Sequence, residues 1–383
     1  MLQAHLSQIP SPCFVLEEKL LRQNLAKLAS VSAAAGVEII LALKGFSLYH
    51  VFPLVKQYLN GATASSLNEA LLIEEYMHDK AHTYCPVYYP QHFDKLLPIS
   101  KKITFNSLQQ WELYKEKVNK AGVPAALRIN PEYSEVSVEM YNPCVAGSRL
   151  GVRPEDLING LPEGISGLHF HALCENNSFT LEKTLASVEE KYAEFLPQIS
   201  WFNMGGGHLI THKDYDTQHL IHLLQSFQKR YPNIREIILE PGAAIAWQTG
   251  VLVTQVLDIV ESKGIKVAML DVSFAAHMPD TLEMPYQPYI RGAVFAASET
   301  HPFVYRMGGT TCLAGDFMGD YAFENSLQIG DKLILEDMMH YTMVKTTTFN
   351  GVPLPNIGLW QEENNTFKNW RTFGYESYKD RLG

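Results

Sequence analysis

The sequence predicts an α/β protein: a (β/α)8 barrel of the TIM type followed by a C-terminal, mostly-β domain. Three observations lead to this prediction. Short apolar segments alternate with amphipathic helical segments about eight times within roughly 210 residues, close to what such a barrel requires. The apolar segments are continuous rather than alternating, as in strands buried on both faces. After about residue 245 the helical pattern fades and β-rich segments take over.

The first predicted barrel strand is "VEIILAL" at 37–43, and seven more apolar segments follow it. These lie at 61–65, 81–87, 102–106, 125–130, 167–172, 199–207 and 236–242. The segment 16–36 is predicted as a helix because Leu21, Leu25 and Leu28 fall on one stripe, and 66–78, 107–122 and 218–231 are similar. A doubly wound open sheet is the alternative, but no GxGxxG motif follows the first strand.

The domain boundaries follow from the same patterns. We expect the barrel domain to span 14–245, and residues 246–383 with 1–13 to form a domain resembling a β-sandwich or β-barrel. Four segments of this second domain are predicted as strands, because Gly, Asp and Asn bound β-rich runs. They are "TGVLVTQVLDIVES", "GIKVAMLDVSF", "QIGDKLILED" and "HYTMVKTTTFNG".

Composition narrows the possible partners and the compartment. The net charge of −10 disfavours nucleic acid and anionic membranes as main partners. The five cysteines form no CxxC pair, which indicates reduced thiols. No segment approaches the roughly 20 apolar residues of a membrane helix, and no secretory signal pattern is visible at the N-terminus. We therefore expect a cytoplasmic protein that acts on a small molecule.

The ends of the predicted barrel strands carry the chemistry, since the active sites of such barrels lie at the C-terminal face. The side chains there include a lysine, a histidine, a glycine run and a glutamate. In chain order the ends hold Lys44, Ser65 and Ser66, Asn106, Arg128 with Asn130, His171, Gly205 to Gly207, and Glu240. Each of these residues alone has an ordinary structural explanation, such as a solvated lysine, a core histidine or a tight turn.

Together, four of these features predict a site for pyridoxal 5′-phosphate. The amine of Lys44 can condense with an aldehyde when it is held in an apolar mouth. The backbone N–H groups of a glycine run can bind phosphate. The plane of His171 can lie against a cofactor ring, and Glu240 facing a pyridine nitrogen would keep that nitrogen protonated.

Further candidates lie in the second domain. A Gly-rich segment, "GGTTCLAGDFMGDY" at 308–321, contains Cys312 and Asp316 and is either a binding loop or a plain surface turn. "AHMPDT" at 276–281 contributes His277 and Asp280, and the segment beginning at residue 340 contributes Tyr341.

These motifs carry a resemblance to a known family. The motifs are "LALKGF", "FNSL", "YNPC…SRLG", "GLHFHALCE", "GGGH", "EPG…WQTG", "AHMPDT", "TCLAGD" and "YT.VK.TTFNG", and they extend from about residue 40 to 355. The chain resembles the fold-type III, alanine racemase-like decarboxylases that use pyridoxal phosphate, a group that includes ornithine and diaminopimelate decarboxylases. Within it, the chain is most similar to carboxynorspermidine/carboxyspermidine decarboxylases. The resemblance implies decarboxylation of these substrates to norspermidine and spermidine in polyamine biosynthesis, by a homodimer with shared active sites and without a metal.

The resemblance also implies a role for each site residue. Lys44 would bind the cofactor covalently, His171 would stack on its ring, and Glu240 would pair with its pyridine nitrogen. The phosphate of the cofactor would be held by Gly205, Gly206 and Gly207 with Tyr341. Cys312 from the second subunit would donate the proton that replaces carbon dioxide, and Asp280 and Asp316 would contact substrate amines. One position departs from the family pattern. Ala243 stands where the family has a glutamate, and where ornithine decarboxylase-like relatives have an arginine.

Three alternatives remain at this point. A diaminopimelate decarboxylase, or another basic amino-acid decarboxylase of this fold, would need a second amino-acid head group recognised. An acidic residue after the loop cysteine typically does this, but Leu313 follows Cys312. A non-catalytic pyridoxal phosphate protein would be a lone barrel. A metal-dependent hydrolase is suggested by the pair His169 and His171, but such pairs usually follow the first strand rather than the sixth.

Overall fold

The computed structural model describes residues 2–383, which form two compact units. The first is Asn24–Ile245, and the second combines residues 2–23 with Ala246–Gly383. The first unit therefore begins ten residues later than position 14, where the sequence places it (24 − 14 = 10). The reason is that β1 (Cys13–Glu17) pairs antiparallel with residues 250–253 and parallel with residues 356–360, all of the second unit.

The first unit contains one parallel sheet of nine strand segments. Two of them, β2 (Glu38–Ile39) and β3 (Leu41–Ala42), are parts of a single run that is interrupted at Ile40. The others are β4 (Ala62–Ala64), β5 (Ala81–Tyr84), β6 (Ser100–Phe105), β7 (Ala125–Arg128), β8 (Ile165–His169), β9 (Trp201–Asn203) and β10 (Glu236–Leu239).

The interruption at Ile40 closes the barrel. The N–H of Ile40 donates to the Leu239 carbonyl at 2.9 Å, whereas the N–H of Leu41 donates to the Gly61 carbonyl at 3.1 Å. The first half of the run thus pairs with the last strand, β10, and the second half pairs with β4. Counting the run as one strand gives eight strands (9 − 1 = 8), which confirms the predicted (β/α)8 barrel.

Helices connect most of these strands. They are α1 (Glu18–Ala35), α2 (Phe52–Val55), α3 (Leu67–Met77), α4 (Pro90–Leu96), α5 (Leu108–Ala121), α6 (Ser178–Lys191), α7 (Thr217–Arg230) and α8 (Ala243–Ala246). The predicted stripe of α1 is confirmed, since Leu21, Leu25 and Leu28 are fully buried. The hydroxyls of Ser66 and Ser107 accept N–H bonds at the starts of α3 and α5. Within residues 129–164, the connection from β7 to β8 has only short 3-10 turns.

Large side chains fill the barrel interior towards the N-terminal part of the strands. Trp201 packs in one cluster with Ile40, Ala126 and Ile238. Its indole takes the space beside Gly167, where a Cβ atom would lie 2.2 Å from the ring. Because the interior is packed here, a site for a small molecule is left to the C-terminal ends of the strands.

The second unit is built on a mixed sheet, as the sequence predicts for a mostly-β domain. Besides β1 its strands are β11 (Gly250–Ser262), β12 (Ile265–Leu270), β13 (Ala293–Val294), β14 (Phe303–Gly308), β15 (Phe317–Phe323), β16 (Lys332–Glu336), β17 (Asn356–Gln361) and β18 (Thr366–Arg371). Its helices are α9 (Phe274–His277), α10 (Pro279–Glu283), α11 (Tyr341–Val344) and α12 (Tyr375–Lys379). Val15, Val251, Ile334 and Trp360 belong to its buried core. In the described part of the chain, no helix has both the length and the apolarity needed to cross a lipid bilayer.

One of the four predicted strands of this unit is wrong. "HYTMVKTTTFNG" forms α11 and a 3-10 turn at Phe349–Gly351 instead. The N–H groups of Met343 and Lys345 donate to carbonyls three or four residues earlier in the segment. Asn350 has a positive φ of 57°. Local hydrogen bonds and this left-handed residue prevent an extended strand, although the segment is rich in β-branched threonines.

Candidate active site

Lys44 lies at the C-terminal end of the first barrel strand. A tight turn follows β3, in which the N–H groups of Gly45 and Phe46 donate to the Ala42 carbonyl at 3.0 and 3.2 Å. Gly45 is required here because a Cβ atom would lie 2.6 Å from the Cα of Gly242. Burial lowers the pKa of the Lys44 amine from 10.5, and the nearby charge of Glu240 only partly opposes this.

His171 holds the amine of Lys44. Its Nε2 lies 3.2 Å from Lys44 Nζ, and its Nδ1 accepts the N–H of Gly206 at 2.8 Å. Burial lowers the pKa of His171 well below 6.5, so the ring is neutral and carries one hydrogen. Because Nδ1 is the acceptor, we assign that hydrogen to Nε2, which then donates to Nζ. Nζ can accept only as a neutral amine, the form that attacks an aldehyde.

Glu240 is a buried carboxylate directly after β10. One of its oxygens, Oε2, accepts the amide N–H of Asn203 at 2.9 Å, and Oε1 lies 3.5 Å from Nε2 of His169. Burial alone would raise the pKa of Glu240, but the interaction with His169, the charge that Lys44 carries whenever its amine is protonated, and the hydrogen bond from Asn203 lower it to about 2. The carboxylate is therefore ionised at neutral pH. Asn203 is not among the site residues predicted from the sequence.

The glycine run after β9 fits a very narrow space. Gly205 and Gly207 have positive φ values of 71° and 82°. A Cβ atom would lie 2.3 Å from the Phe170 carbonyl at Gly205 and 2.0 Å from the Leu173 carbonyl at Gly207. Packing thus explains why the residues are glycines. Within residues 2–383, the N–H groups of Gly207 and His208 donate to no acceptor, which leaves two donors free.

Arg128 is a member of the site for which the sequence analysis proposed no role. It is buried, and its guanidinium donates to the His171 carbonyl at 3.0 Å and to the Tyr84 hydroxyl at 2.7 Å. The same guanidinium lies over the Tyr84 ring at 4.9 Å, and the Tyr84 hydroxyl donates to Asn106 at 2.8 Å. Arg128 thereby fixes the backbone of His171. Its position at the end of β7 is the signal that could have identified it.

The remaining barrel candidate is Ala243, the first residue of α8. It is buried, and its backbone N would lie 3.1 Å from a Cβ atom placed at Gly45. Position 243 is therefore next to the turn that carries Lys44. Lys44, His171, Glu240 and the glycine run all follow the C-terminal ends of barrel strands, as the sequence predicts.

The other predicted site residues belong to the second unit. Cys312 is exposed in the connection between β14 and β15, and Tyr341 is the first residue of α11. The carboxylate of Asp280 accepts the hydroxyls of Tyr286 and Thr342 at Oδ2, at 3.0 and 2.8 Å. Its other oxygen, Oδ1, is buried and has no partner within residues 2–383. Asp316 is also buried, but both of its oxygens are occupied by donors of the protein.

Comparison with known proteins identifies the family. Residues 29–339 match the family described as "Pyridoxal-dependent decarboxylase, C-terminal sheet domain". The chain is 54% identical over 378 residues to carboxyaminopropylagmatine decarboxylase of Synechocystis sp., covering 99% of this chain and 97% of that protein. It is 43% identical over 383 residues to carboxynorspermidine/carboxyspermidine decarboxylase of Campylobacter jejuni, covering 98% and 99%. The chain belongs to the pyridoxal-dependent decarboxylase family.

Solved structures agree with this assignment. The crystal structure of carboxynorspermidine decarboxylase complexed with norspermidine from Campylobacter jejuni matches with a TM-score of 0.90 and 42% identity, over 97% of this chain and 100% of that chain. A diaminopimelate decarboxylase structure matches with a TM-score of 0.81 at 18% identity, which supports the fold alone. The predicted family resemblance and the predicted enzyme class, a decarboxylase, are confirmed. Among residues 2–383, no group of three or more His, Cys, Asp or Glu side chains could hold a metal ion.

Proposed function

We propose that this pyridoxal-dependent decarboxylase removes the carboxylate of a carboxylated polyamine, converting carboxynorspermidine to norspermidine or carboxyspermidine to spermidine. The observation that carries the proposal is the Lys44–His171 pair beside the ionised Glu240. It occurs in a chain that is 43% identical, along its full length, to a carboxynorspermidine/carboxyspermidine decarboxylase.

The residues of the barrel fit pyridoxal 5′-phosphate. The neutral amine of Lys44 is suited to capture its aldehyde, and the free N–H groups of Gly207 and His208 are suited to its phosphate. The ionised Glu240 is suited to its pyridine nitrogen. When bound, the cofactor supplies an electron sink for the pair of electrons left behind by carbon dioxide. We further propose that His171 lies against the cofactor ring and that Tyr341 assists at the phosphate.

Asp280 is the proposed contact for an amine of the substrate. Its Oδ1 is buried without a partner, and an unpaired buried carboxylate oxygen is costly unless a cation binds it. A polyamine supplies such a cation as an ammonium group. Asp280→Asn should raise KM for the substrate more than it lowers kcat, because the contact is the same in the ground state and in the transition state.

Carboxyaminopropylagmatine is a second candidate substrate, because the relative with 54% identity is a decarboxylase of this compound. It ends in a planar guanidinium, whereas carboxynorspermidine and carboxyspermidine end in an ammonium group. Ala243 bears on this difference, since it lies beside the Lys44 turn where the family has a glutamate. Alanine leaves more volume than glutamate, which would favour the bulkier guanidinium.

The test incubates the purified protein and pyridoxal phosphate with carboxynorspermidine, carboxyspermidine, carboxyaminopropylagmatine and diaminopimelate, and measures carbon dioxide and product amine. We expect turnover of at least one carboxylated polyamine and none by Lys44→Ala. Ala243→Glu should shift kcat/KM towards the substrates that end in ammonium. Turnover of diaminopimelate alone, or tight cofactor binding with no turnover of any of the four, would refute the proposal.

We propose a homodimer with shared active sites, in which Cys312 of one subunit serves the site of the other. The exposed apolar side chains of Leu313 and Phe317 beside Cys312 support a contact surface there. Mixing Lys44→Ala with Cys312→Ala protein should restore up to about a quarter of the wild-type activity, since one site of each mixed dimer is intact. No recovery in verified mixed dimers would exclude sharing.

We also keep the cytoplasm as the proposed compartment, since all five cysteines are unpaired.

A further inference from the structure

We infer that Asp316 and Asn350 are positioning residues that hold the backbone of Cys312 from two sides, and that Asp316 does not contact the substrate. The inference rests on the proposed function, in which Cys312 donates the proton that replaces carbon dioxide. It assigns Asp316 a different role from the one that the family resemblance suggests.

The carboxylate of Asp316 is saturated by donors of its own chain. The side chain is only 5% exposed. Its Oδ1 accepts the N–H groups of Phe274 and Ala275 at 2.7 and 3.0 Å. Its Oδ2 accepts both the N–H and the hydroxyl of Thr311, at 3.0 and 2.5 Å. A carboxylate offers about four lone-pair directions, so none remains for a substrate ammonium group.

The loop around Cys312 is shaped to enclose this carboxylate. The N–H of Gly309 donates to the Asp316 carbonyl at 2.7 Å, and the N–H of Asp316 donates to the Leu313 carbonyl at 2.9 Å. A Cβ atom at position 309 would lie 2.5 Å from Oδ2, so only glycine leaves room for the carboxylate. The residues 309–316 therefore fold around Asp316 and are tied through it to the start of α9.

Asn350 holds the next residue of the loop from the other side. Its Oδ1 accepts the N–H of Cys312 at 2.9 Å. Asn350 has a positive φ of 57°, a conformation that asparagine tolerates better than most residues. Two consecutive N–H groups, those of Thr311 and Cys312, are thus held by two side chains from different segments. The backbone of Cys312 is fixed while its thiol stays exposed.

The position of a proton donor affects kcat rather than substrate affinity. A shift of about 1 Å in a catalytic group can cost on the order of 100-fold in rate. A lost substrate contact instead raises KM. Asp280 and Asp316 therefore make a matched pair, because one has a buried oxygen without a partner within residues 2–383 and the other has none to spare.

The first experiment measures kcat, KM and the ratio of carbon dioxide to product amine for Asp316→Asn, Asp280→Asn and a control, Asp320→Asn. Asp320 lies in β15 of the second unit and forms a partly exposed ion pair with Arg306, so its variant should behave as wild type. Asp316→Asn places an NH2 group against backbone donors. We expect kcat to fall at least about tenfold and KM to stay within about threefold. Carbon dioxide should exceed product amine, because a substrate that is not protonated by Cys312 would leave as an aldehyde after hydrolysis by water, with the proton and the amino group retained on the cofactor. A raised KM with unchanged kcat would overturn the inference.

The second experiment uses Asn350 and hydrogen exchange in the holoenzyme. Asn350→Gly keeps the backbone conformation but removes the acceptor for Cys312, whereas Asn350→Asp keeps both. We expect faster amide exchange at Cys312, together with lower kcat, in the glycine variant only. Equal exchange and equal kcat in the two variants would overturn the inference. If Asp316→Asn fails to fold, the comparison of the two Asn350 variants alone decides the question. If the wild type turns over no candidate substrate, the proposed function fails, while the exchange data still test the loop.

Discussion

Gly207→Ala probes the most crowded point of the proposed cofactor site. A Cβ atom at this position would lie 2.0 Å from the oxygen and 2.3 Å from the carbon of the Leu173 carbonyl. These are backbone atoms of the segment that follows His171, so they cannot move aside cheaply. The residue also has a positive φ of 82°, which penalises any side chain.

The expected cost follows from these two terms. The left-handed conformation costs an alanine roughly 1–2 kcal/mol, and steric overlap in a packed site typically costs about 1–3 kcal/mol more. Gly207→Ala should therefore lose roughly 2–5 kcal/mol of unfolding free energy. Gly122→Ala is the control, because Gly122 has a positive φ of 65° but no heavy atom lies within 4 Å of the point where a Cβ atom would be added. It should lose only the conformational term.

The assay is urea denaturation of both variants followed by circular dichroism, with a titration of pyridoxal phosphate on the folded proteins. We expect Gly207→Ala to be the less stable variant by at least about 1 kcal/mol and to bind the cofactor at least tenfold more weakly. Gly122→Ala should bind the cofactor as the wild type does. Equal stability of the two variants would refute the packing argument, since they share the conformational term.

Three further predictions concern charge. Burial lowers the pKa of Lys44 from 10.5, so the rate at which Lys44 captures pyridoxal phosphate, measured by borohydride trapping, should reach half its maximum below pH 10.5. If this half-point, the pH of half-maximal rate, lies at or above 10.5, the result contradicts a neutralised amine. Arg128→Met removes a positive charge that lowers this pKa, so the half-point should move to higher pH and not to lower pH. The pKa of Glu240 is lowered from 4.5 to about 2, so the ionised carboxylate contributes about 3 kcal/mol to the free energy of unfolding. This contribution is complete above pH 4.5 and is lost as the pH falls towards 2. The difference in unfolding free energy between the wild type and Glu240→Gln should shrink accordingly below pH 4.5, and a difference that grows there would contradict the assignment.

Much of the site could be predicted because a parallel barrel gathers its strand ends on one face. Lys44, His171 and Glu240 needed only their positions at the ends of apolar runs to be assigned to one mouth. Arg128 has the same kind of position, but the role of an arginine at a strand end cannot be predicted until the acceptors of its N–H groups are known. These acceptors are the His171 carbonyl and the Tyr84 hydroxyl, 43 and 44 residues away.

The order of residues along the chain by itself determined the barrel, the β-rich second unit and the set of polar groups at the strand ends, because these depend on periodicity and on local position. Only the tertiary structure decided which oxygens are free. Asp280 and Asp316 both lie in short polar segments of the second unit, and nothing in those segments separates the two residues. Phe274, 42 residues away, donates to Oδ1 of Asp316, and the nearby Thr311 fills Oδ2. Thr342, 62 residues away, donates to Oδ2 of Asp280, whose Oδ1 has no partner within residues 2–383. Hydrogen-bond saturation depends on which distant segments pack together, and that is a property of the folded chain.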